Sequence, residues 1–378
     1  MIKKVLFFIM CLFSMVSVSA VELAPNAKSV ILIEASTGKV LYERDADIAL
    51  APASMTKIMT LLLTMEAIES GNIKLDDMVH ISENAANMGG SQVYLAANTE
   101  MKLEEIIKAV CIASGNDAAY VLAEAIGGTH DNFVLMMNKK AKELGLTGTN
   151  FVNSYGLDAK GHLSTARDMA IMARELIKHD LILKYSSIYE EYLNKPDGTS
   201  TWMVNTNKLV RFYAGIDGLK TGYTTEAGYC LTATGIFNNM RLISVVMGEP
   251  SQEARSDDTV ELINYGKTNF KLKNILKKGD KLGEIEVELG NNLVEDAIID
   301  EDINDIIDAY DDTKKYTCKI RVDKLIAPIK KRDKVGEVDI YIDDVKYLTK
   351  DLTVNDDVNK ISFMNLIKRI FKVITVGS

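Results

Sequence analysis

The 378-residue chain has four cysteines and four histidines, and neither type is spaced for a shared task. Cys11 falls in an apolar leader, and Cys111, Cys230 and Cys318 form an odd set with no paired spacing, so neither a disulfide framework nor a zinc ribbon is indicated. Each of the three is expected to be a small buried apolar side chain. His80, His130, His162 and His179 show no H-E-x-x-H type of spacing, and no clear glycine-rich phosphate loop occurs, which argues against metal and nucleotide chemistry. No metal and no cofactor is expected. A single tryptophan, scattered lysines and a formal net charge of −9 exclude the basic surface of a nucleic-acid binder.

The basic start Met1-Ile2-Lys3-Lys4, the apolar run Val5 to Val18 and the small residues Ser19-Ala20 read as a secretory signal peptide spanning residues 1–20. The run is short for a membrane span, and a polar segment follows directly. Loss of Lys3 and Lys4 with the leader makes the exported chain more acidic still. The remainder exceeds one average domain, and its composition changes near residue 270. Residues 21–270 are expected to be the chemical domain, 271–358 a small β-rich domain without a titratable cluster, and 359–378 a terminal helix.

Within the first domain, Ser29 to Glu34 and Lys39 to Glu43 alternate like strands around a Ser36-Thr37-Gly38 turn. Leu103 to Ala113, Ala118 to Ile126, Asn132 to Leu144 and Ser164 to Lys178 carry helical spacing, with Ser164 as a helix cap. Strand patterns return at Tyr185 to Tyr192, Thr201 to Asn205, Tyr229 to Gly235 and Met240 to Met247. Strands at both ends with helices between predict an α+β layout of one sheet plus a helical cluster. In the second domain, alternation marks Glu284 to Leu289, Lys315 to Val322 and Glu337 to Ile342.

The organising stretch is Pro52-Ala53-Ser54-Met55-Thr56-Lys57, which opens an apolar helix. Spacing of three places the Ser54 hydroxyl and the Lys57 amine as neighbours on one helical face, beside free backbone N–H groups that favour developing negative charge. A nucleophilic serine with a lysine base is built this way. A second S-x-x-K, Ser36 to Lys39, reads as a turn. Downstream come Ser114-Gly115-Asn116 and Lys220-Thr221-Gly222, while Ser82-Glu83-Asn84 is a second S-x-N match.

The ordered trio S-x-x-K, S-x-N and K-T-G resembles the signature of the penicillin-binding protein and serine β-lactamase superfamily. The wording around it is most similar to the D-alanyl-D-alanine carboxypeptidases, the low-molecular-mass penicillin-binding proteins. Leu50 to Lys57, Ser114 to Ala118, Gly161 to Ala170 and Gly215 to Gly222 all carry it. The resemblance implies a transpeptidase-like α+β fold, an antiparallel sheet with helices plus a helical subdomain. It also implies cleavage of the terminal D-alanine from peptidoglycan stem peptides ending in D-Ala-D-Ala, and acylation by β-lactam antibiotics.

Carried over position by position, Ser54 is the nucleophile and Lys57 the base, provided burial and Lys220 favour its neutral form. Ser114 relays a proton to the leaving amine, and Asn116 orients Lys57 and the substrate amide. The backbone N–H groups of Ser54 and Tyr223 make an oxyanion hole. Thr221, Gly222, Tyr223 and Arg255 are expected to bind substrate, Arg255 through its carboxylate. Tyr223 departs from the histidine of some relatives. His162, Arg167 and Asp168 are read as structural.

The stripe Ile361, Phe363, Met364, Ile367, Ile370, Phe371 and Ile374, with only basic charge opposite, predicts a helix lying on an anionic membrane surface at the outer face of the cytoplasmic membrane. A class A β-lactamase would need a glutamate in an E-x-x-L-N pattern. Glu190 to Asn194 matches those letters but in a strand-like run close before K-T-G. A DD-endopeptidase would share the three motifs. A non-catalytic penicillin-binding scaffold would be expected to lose parts of them, whereas all three stand in this chain.

Overall fold

The computed structural model describes residues 22–322 and 324–376, so the leader expected at 1–20 lies outside the described residues. Strands β1 (Ser29–Glu34) and β2 (Val40–Arg44) are followed by two hairpins, β3 (Met78–Ile81) with β4 (Thr99–Lys102) and β5 (Glu190–Asn194) with β6 (Ser200–Val204). Then come β7 (Ile216–Thr224), β8 (Gly228–Phe237) and β9 (Met240–Glu249). The central antiparallel sheet has the order β2-β1-β9-β8-β7, which joins the first strands of the chain to the last of this region and leaves β7 at an edge.

Both faces of the sheet are covered, and the strand alternation divides its residues between two cores. Ile31, Ile33, Ile243 and Val245 pack with Met55, Ile58 and Leu62 of the serine helix, Lys57–Glu69, and with the helices Asn116–Gly127, His130–Glu143 and Ala166–Leu176. Val30, Leu32, Leu242 and Val246 face the other way, onto Leu262 and Ile263 of the helix Gln252–Asn269. A strand buried on both sides has no polar face, which is why β1 is buried at every position.

Beyond residue 269, a two-stranded sheet pairs Phe270–Leu276 with Ile303–Asp308, and a six-stranded sheet completes the β-rich region around a separate core of Ile285, Val287, Val338 and Ile340. Ile306 belongs to the second core of the first region, so the short sheet ties the two parts together. The final helix is Phe363–Val376.

Three details differ from the sequence expectations. Tyr185 begins no strand: it is a buried residue of the helix Asp180–Ser186, and extended structure starts at Glu190. The cap of the helix Ala166–Leu176 is Thr165, whose hydroxyl accepts from the Asp168 N–H, whereas Ser164 pairs its backbone with Leu50 and its hydroxyl with Thr149. Cys111 and Cys230 are buried, but Cys318 is exposed on a strand of the β-rich sheet.

Candidate active site

Ser54 sits in a single 3-10 turn, Ala53–Thr56, that leads straight into the serine helix. The turn is held from three sides. His162 accepts the Val152 N–H at Nδ1 (3.0 Å), so its Nε2 carries the hydrogen and donates to Thr56 Oγ1 (2.7 Å), while the Thr56 hydroxyl donates to the Ala53 carbonyl (2.8 Å). Burial pushes His162 down to about 4, which keeps the ring neutral in this chain of bonds. Gly156 packs its backbone so closely that a Cβ there would lie 1.9 Å from the Ala53 carbonyl oxygen, and its φ of +92° is itself a glycine conformation. Gly222 of β7 closes the other side, its notional Cβ meeting Pro52 O at 3.0 Å and Ser54 N at 3.1 Å.

Lys57 is wholly buried, and its Nζ contacts Ser54 Oγ (2.9 Å), Asn116 Oδ1 (2.7 Å) and the Tyr155 carbonyl (2.6 Å). Asn116 is fixed in this orientation because its Nδ2 donates to Gly89 O at 2.7 Å. Desolvation, then the charge of Lys220, moves Lys57 well below the ordinary lysine value, with Asp117 opposing. A neutral amine has two hydrogens and one lone pair. Asn116 Oδ1 and Tyr155 O can only accept, so they take the two N–H bonds and the lone pair is left for the Ser54 hydroxyl hydrogen. This is the arrangement a general base needs.

A cavity of about 370 Å³ opens over the serine. Ser54, Ser114, Thr221, Gly222, Tyr223 and Arg255 line it, whereas Lys57, Asn116 and Lys220 are buried outside its lining. All nine residues singled out from the sequence thus lie at or behind one opening. Ser114 ends a wide π-type turn, Ala109–Ala113, in the left-handed conformation (φ +60°). Burial, with Arg255 adding to it, pushes Lys220 down to about 7, and its Nζ donates to the Thr221 carbonyl (2.9 Å). The Thr221 hydroxyl donates to Thr206 Oγ1 (2.7 Å).

Arg255 occupies the first turn of the helix Gln252–Asn269, is 4% exposed, and has a buried Nε without a hydrogen-bond partner. Among the described residues it forms no ion pair. Burial, then Asp258, pushes Glu249 up to about 8, so at neutral pH this carboxyl is largely protonated and leaves the guanidinium charge uncompensated. An unpaired buried cation beside a cavity is a receptor for an anion.

Ser36, of the second S-x-x-K, instead donates to Glu34, and Lys39 donates to the Ile306 carbonyl (2.6 Å). Glu190 pairs with Arg211 and Glu191 with Lys108, and no carboxylate is among the described residues lining the cavity. The E-x-x-L-N match therefore supplies no water-activating acid here. Sequence reasoning missed the Tyr155 carbonyl, Ser91, Thr206 and Asp117, whose carboxylate accepts the N–H groups of Val93, Leu95 and Ala118 and so shapes the loop carrying Ser91. Gly156, beside Tyr155, and Gly90, beside Ser91 and packed on Asn116, were the available signals.

A family model described as D-alanyl-D-alanine carboxypeptidase matches residues 15–251, and one described as the penicillin-binding protein 5 C-terminal domain matches 270–360. The D-alanyl-D-alanine carboxypeptidase DacF of Bacillus subtilis is 42% identical over 349 residues, 92% of this chain and 90% of the relative. DacA of Escherichia coli is 33% identical over 90% of this chain and 86% of its own length. The solved penicillin-binding protein 5 of Haemophilus influenzae superposes with a TM-score of 0.73 at 32% identity, covering 91% of this chain and all of that one.

Proposed function

The chain belongs to the D-alanyl-D-alanine carboxypeptidase family, and on that premise we propose that it removes the terminal D-alanine from peptidoglycan stem peptides through an acyl-enzyme on Ser54. Lys57 takes the Ser54 proton as Oγ adds to the carbonyl of the penultimate D-alanine. The negative charge that develops on the carbonyl oxygen is received by the backbone N–H groups of Ser54 and Tyr223, which Gly222 allows to approach each other. The C–N bond then breaks, and the departing D-alanine takes a proton through Ser114, with Lys220 supplying positive charge behind it. Water cleaves the resulting ester and returns the serine. Arg255 and the Thr221 hydroxyl hold the substrate carboxylate, which restricts cleavage to a chain end.

The observation that carries this reading is the Lys57 amine, with two obligate acceptors and the serine hydroxyl as its three neighbours. Intact-protein mass followed after addition of benzylpenicillin tests it. The expected result is a long-lived adduct on Ser54; no adduct refutes the serine chemistry, and rapid recovery with hydrolysed drug indicates a β-lactamase instead.

Residues 21–270 act as the catalytic domain and 271–358 as its β-rich support, while the final helix holds the exported protein on the outer face of the membrane. Phe363, Met364, Ile370 and Phe371 are exposed on that helix, and no helix among the described residues is long and apolar enough to cross a membrane. Arg369 donates to the carbonyls of Gly290 and Asn291, so the helix is tethered to the β-rich region rather than embedded in it. Deleting residues 361–378 is expected to release the enzyme from anionic vesicles with its activity on a soluble peptide intact; continued vesicle binding rejects the anchor.

A further inference from the structure

The β5–β6 hairpin stands beside the catalytic cavity, and its two faces differ. On the inner face, Leu193 and Met203 are fully buried in the main core and the Thr201 hydroxyl donates to the Val93 carbonyl (3.2 Å), so this face attaches the hairpin. On the outer face, Tyr192 and Trp202 are directly opposite each other in the strand register and are 63% and 58% exposed. Cross-strand neighbours of this kind have Cβ atoms roughly 5 Å apart, so the two side chains occupy adjoining ground. Neither is needed to hold the hairpin down.

The next residue on the same face of β6 is Val204, which lines the catalytic cavity. Two residues of strand cover roughly 7 Å, so the aromatic pair begins about one sugar ring from the cavity wall. Hydrogen-bonding groups border the pair, with the exposed ring of Phe212 lying beyond Arg211. Ser200 and Asn194 are hydrogen-bonded to each other (2.7 Å) on the side towards the turn, and Glu190, opposite Val204, pairs with Arg211 at 3.6 Å. An apolar aromatic centre with hydrogen-bonding groups at its margin fits a pyranose, which has a C–H face and a rim of hydroxyl and amide groups. A stable protein partner needs roughly 800 Å² on each side, much more than two rings within a polar margin provide.

We propose that the outer face of the β5–β6 hairpin, with Trp202 and Tyr192 as its platform, binds the amino-sugar strand to which the substrate peptide is attached. The inference rests on the carboxypeptidase reading, because a peptide linked to a glycan is what brings a sugar to this place. The enzyme would then recognise its substrate at two points, the free carboxylate at one end and the saccharide at the other.

Trp202 is the chain's one tryptophan, so its emission reports this face alone. Titrating the full-length protein with the peptide-free N-acetylated disaccharide of peptidoglycan is expected to give a saturable change in emission at millimolar sugar; a flat response overturns the proposal. In kinetics, the wild type should favour a disaccharide-linked pentapeptide over the bare pentapeptide by roughly three- to tenfold in kcat/KM. Tyr192→Ala and Trp202→Ala should abolish that preference and leave the bare peptide within about twofold of wild type, with Trp202→Phe retaining most of it. An equal preference in variants and wild type, or none in the wild type, overturns the proposal. If Trp202→Ala does not fold, Tyr192→Ala decides, since it keeps the reporter. Emission that changes with protein concentration alone indicates a second copy of the chain on this face and also overturns the proposal. Should the wild type fail to cleave the bare peptide, the carboxypeptidase reading has failed, and the sugar titration still judges the platform.

Discussion

The catalytic cleft and the β-rich region treat positive charge in opposite ways. In the β-rich region, cations meet carboxylates: exposed Lys334 lies between Glu337 (2.8 Å) and Asp351 (2.7 Å), and the buried Asp339 receives Lys346 (2.7 Å) and Arg321. Hydrogen bonds from Lys346 and Thr349 hold the Asp339 carboxyl well below the usual carboxylate range. In the cleft, Lys57, Lys220 and Arg255 are all nearly inaccessible, none forms an ion pair among the described residues, and burial lowers the proton affinity of each. Burying three basic side chains without a carboxylate partner costs folding free energy, which deprotonation relieves at Lys57 and a bound anion would relieve at Arg255. The contrast separates a region arranged for stability from one where stability is given up for reactivity.

The sharpest break of that contrast removes the buried base. Lys57→Ala and Ser54→Ala are each expected to lower the rate of penicillin acylation by at least about 10³-fold, whereas Ser36→Ala and Lys39→Ala leave it unchanged. Acylation of the Lys57→Ala protein at a near-normal rate would mean that the buried amine is not the base.

Next in size is Arg255→Ala, expected to lower kcat/KM on a D-Ala-D-Ala peptide by a factor of roughly 30 to 1,000, with Arg255→Lys recovering part of the loss. Amidating the peptide's C-terminus should cost the wild type a similar factor and the variant little more. Equal losses from amidation in both proteins would show that Arg255 does not read the carboxylate.

Smaller, but specific to the pairing of cations, is the effect of Lys220→Met on the pH profile. Lys57 must be neutral to act, so acylation falls as pH drops through its lowered pKa. The charge of Lys220 helps to lower that pKa, so removing it should move the acid limb of penicillin acylation to higher pH. An unmoved limb would detach Lys220 from the ionisation of Lys57. The smallest effect belongs to the surface: Lys334→Ala should leave acylation untouched and change Tm by about 2 °C or less in a melting curve, because exposed ion pairs are screened by solvent.

What could be read in the sequence tracks how local the determinant is. Ser54 and Lys57 are three apart on one turn, and the trio motifs carry side chains, so the linear pattern names them. The strands Lys281–Glu288, Tyr316–Val322 and Lys334–Ile342 lie where the letters alternate, but only Lys281–Glu288 alternates in burial; Tyr316–Val322 buries none of its residues and Lys334–Ile342 is buried on both faces. The four-residue strands β3 and β4 escape a sequence reading because their length holds barely two alternations. Thr165 and Ser164 are equally good caps as letters, and tertiary pairing of Ser164 with Leu50 decides between them. The Tyr155 carbonyl, which completes the environment of Lys57, is a backbone group 98 residues away, and any residue type could have supplied it.

The two glycines that flank the Ser54 turn also determine where the site can vary under selection by β-lactams. At position 156 any side chain would collide with the peptide that carries the nucleophile, and at 222 it would press on the amide of the nucleophile itself. Substitutions at either place injure the response to the drug and to the natural substrate together, because both are attacked by the same immobilised turn. Escape by reshaping the base of the pocket is thereby closed. Tolerated resistance mutations should map instead to the cavity rim, at residues such as Ser91, Thr206 and Tyr223, where the bulk of the bound molecule can be sensed without moving the serine.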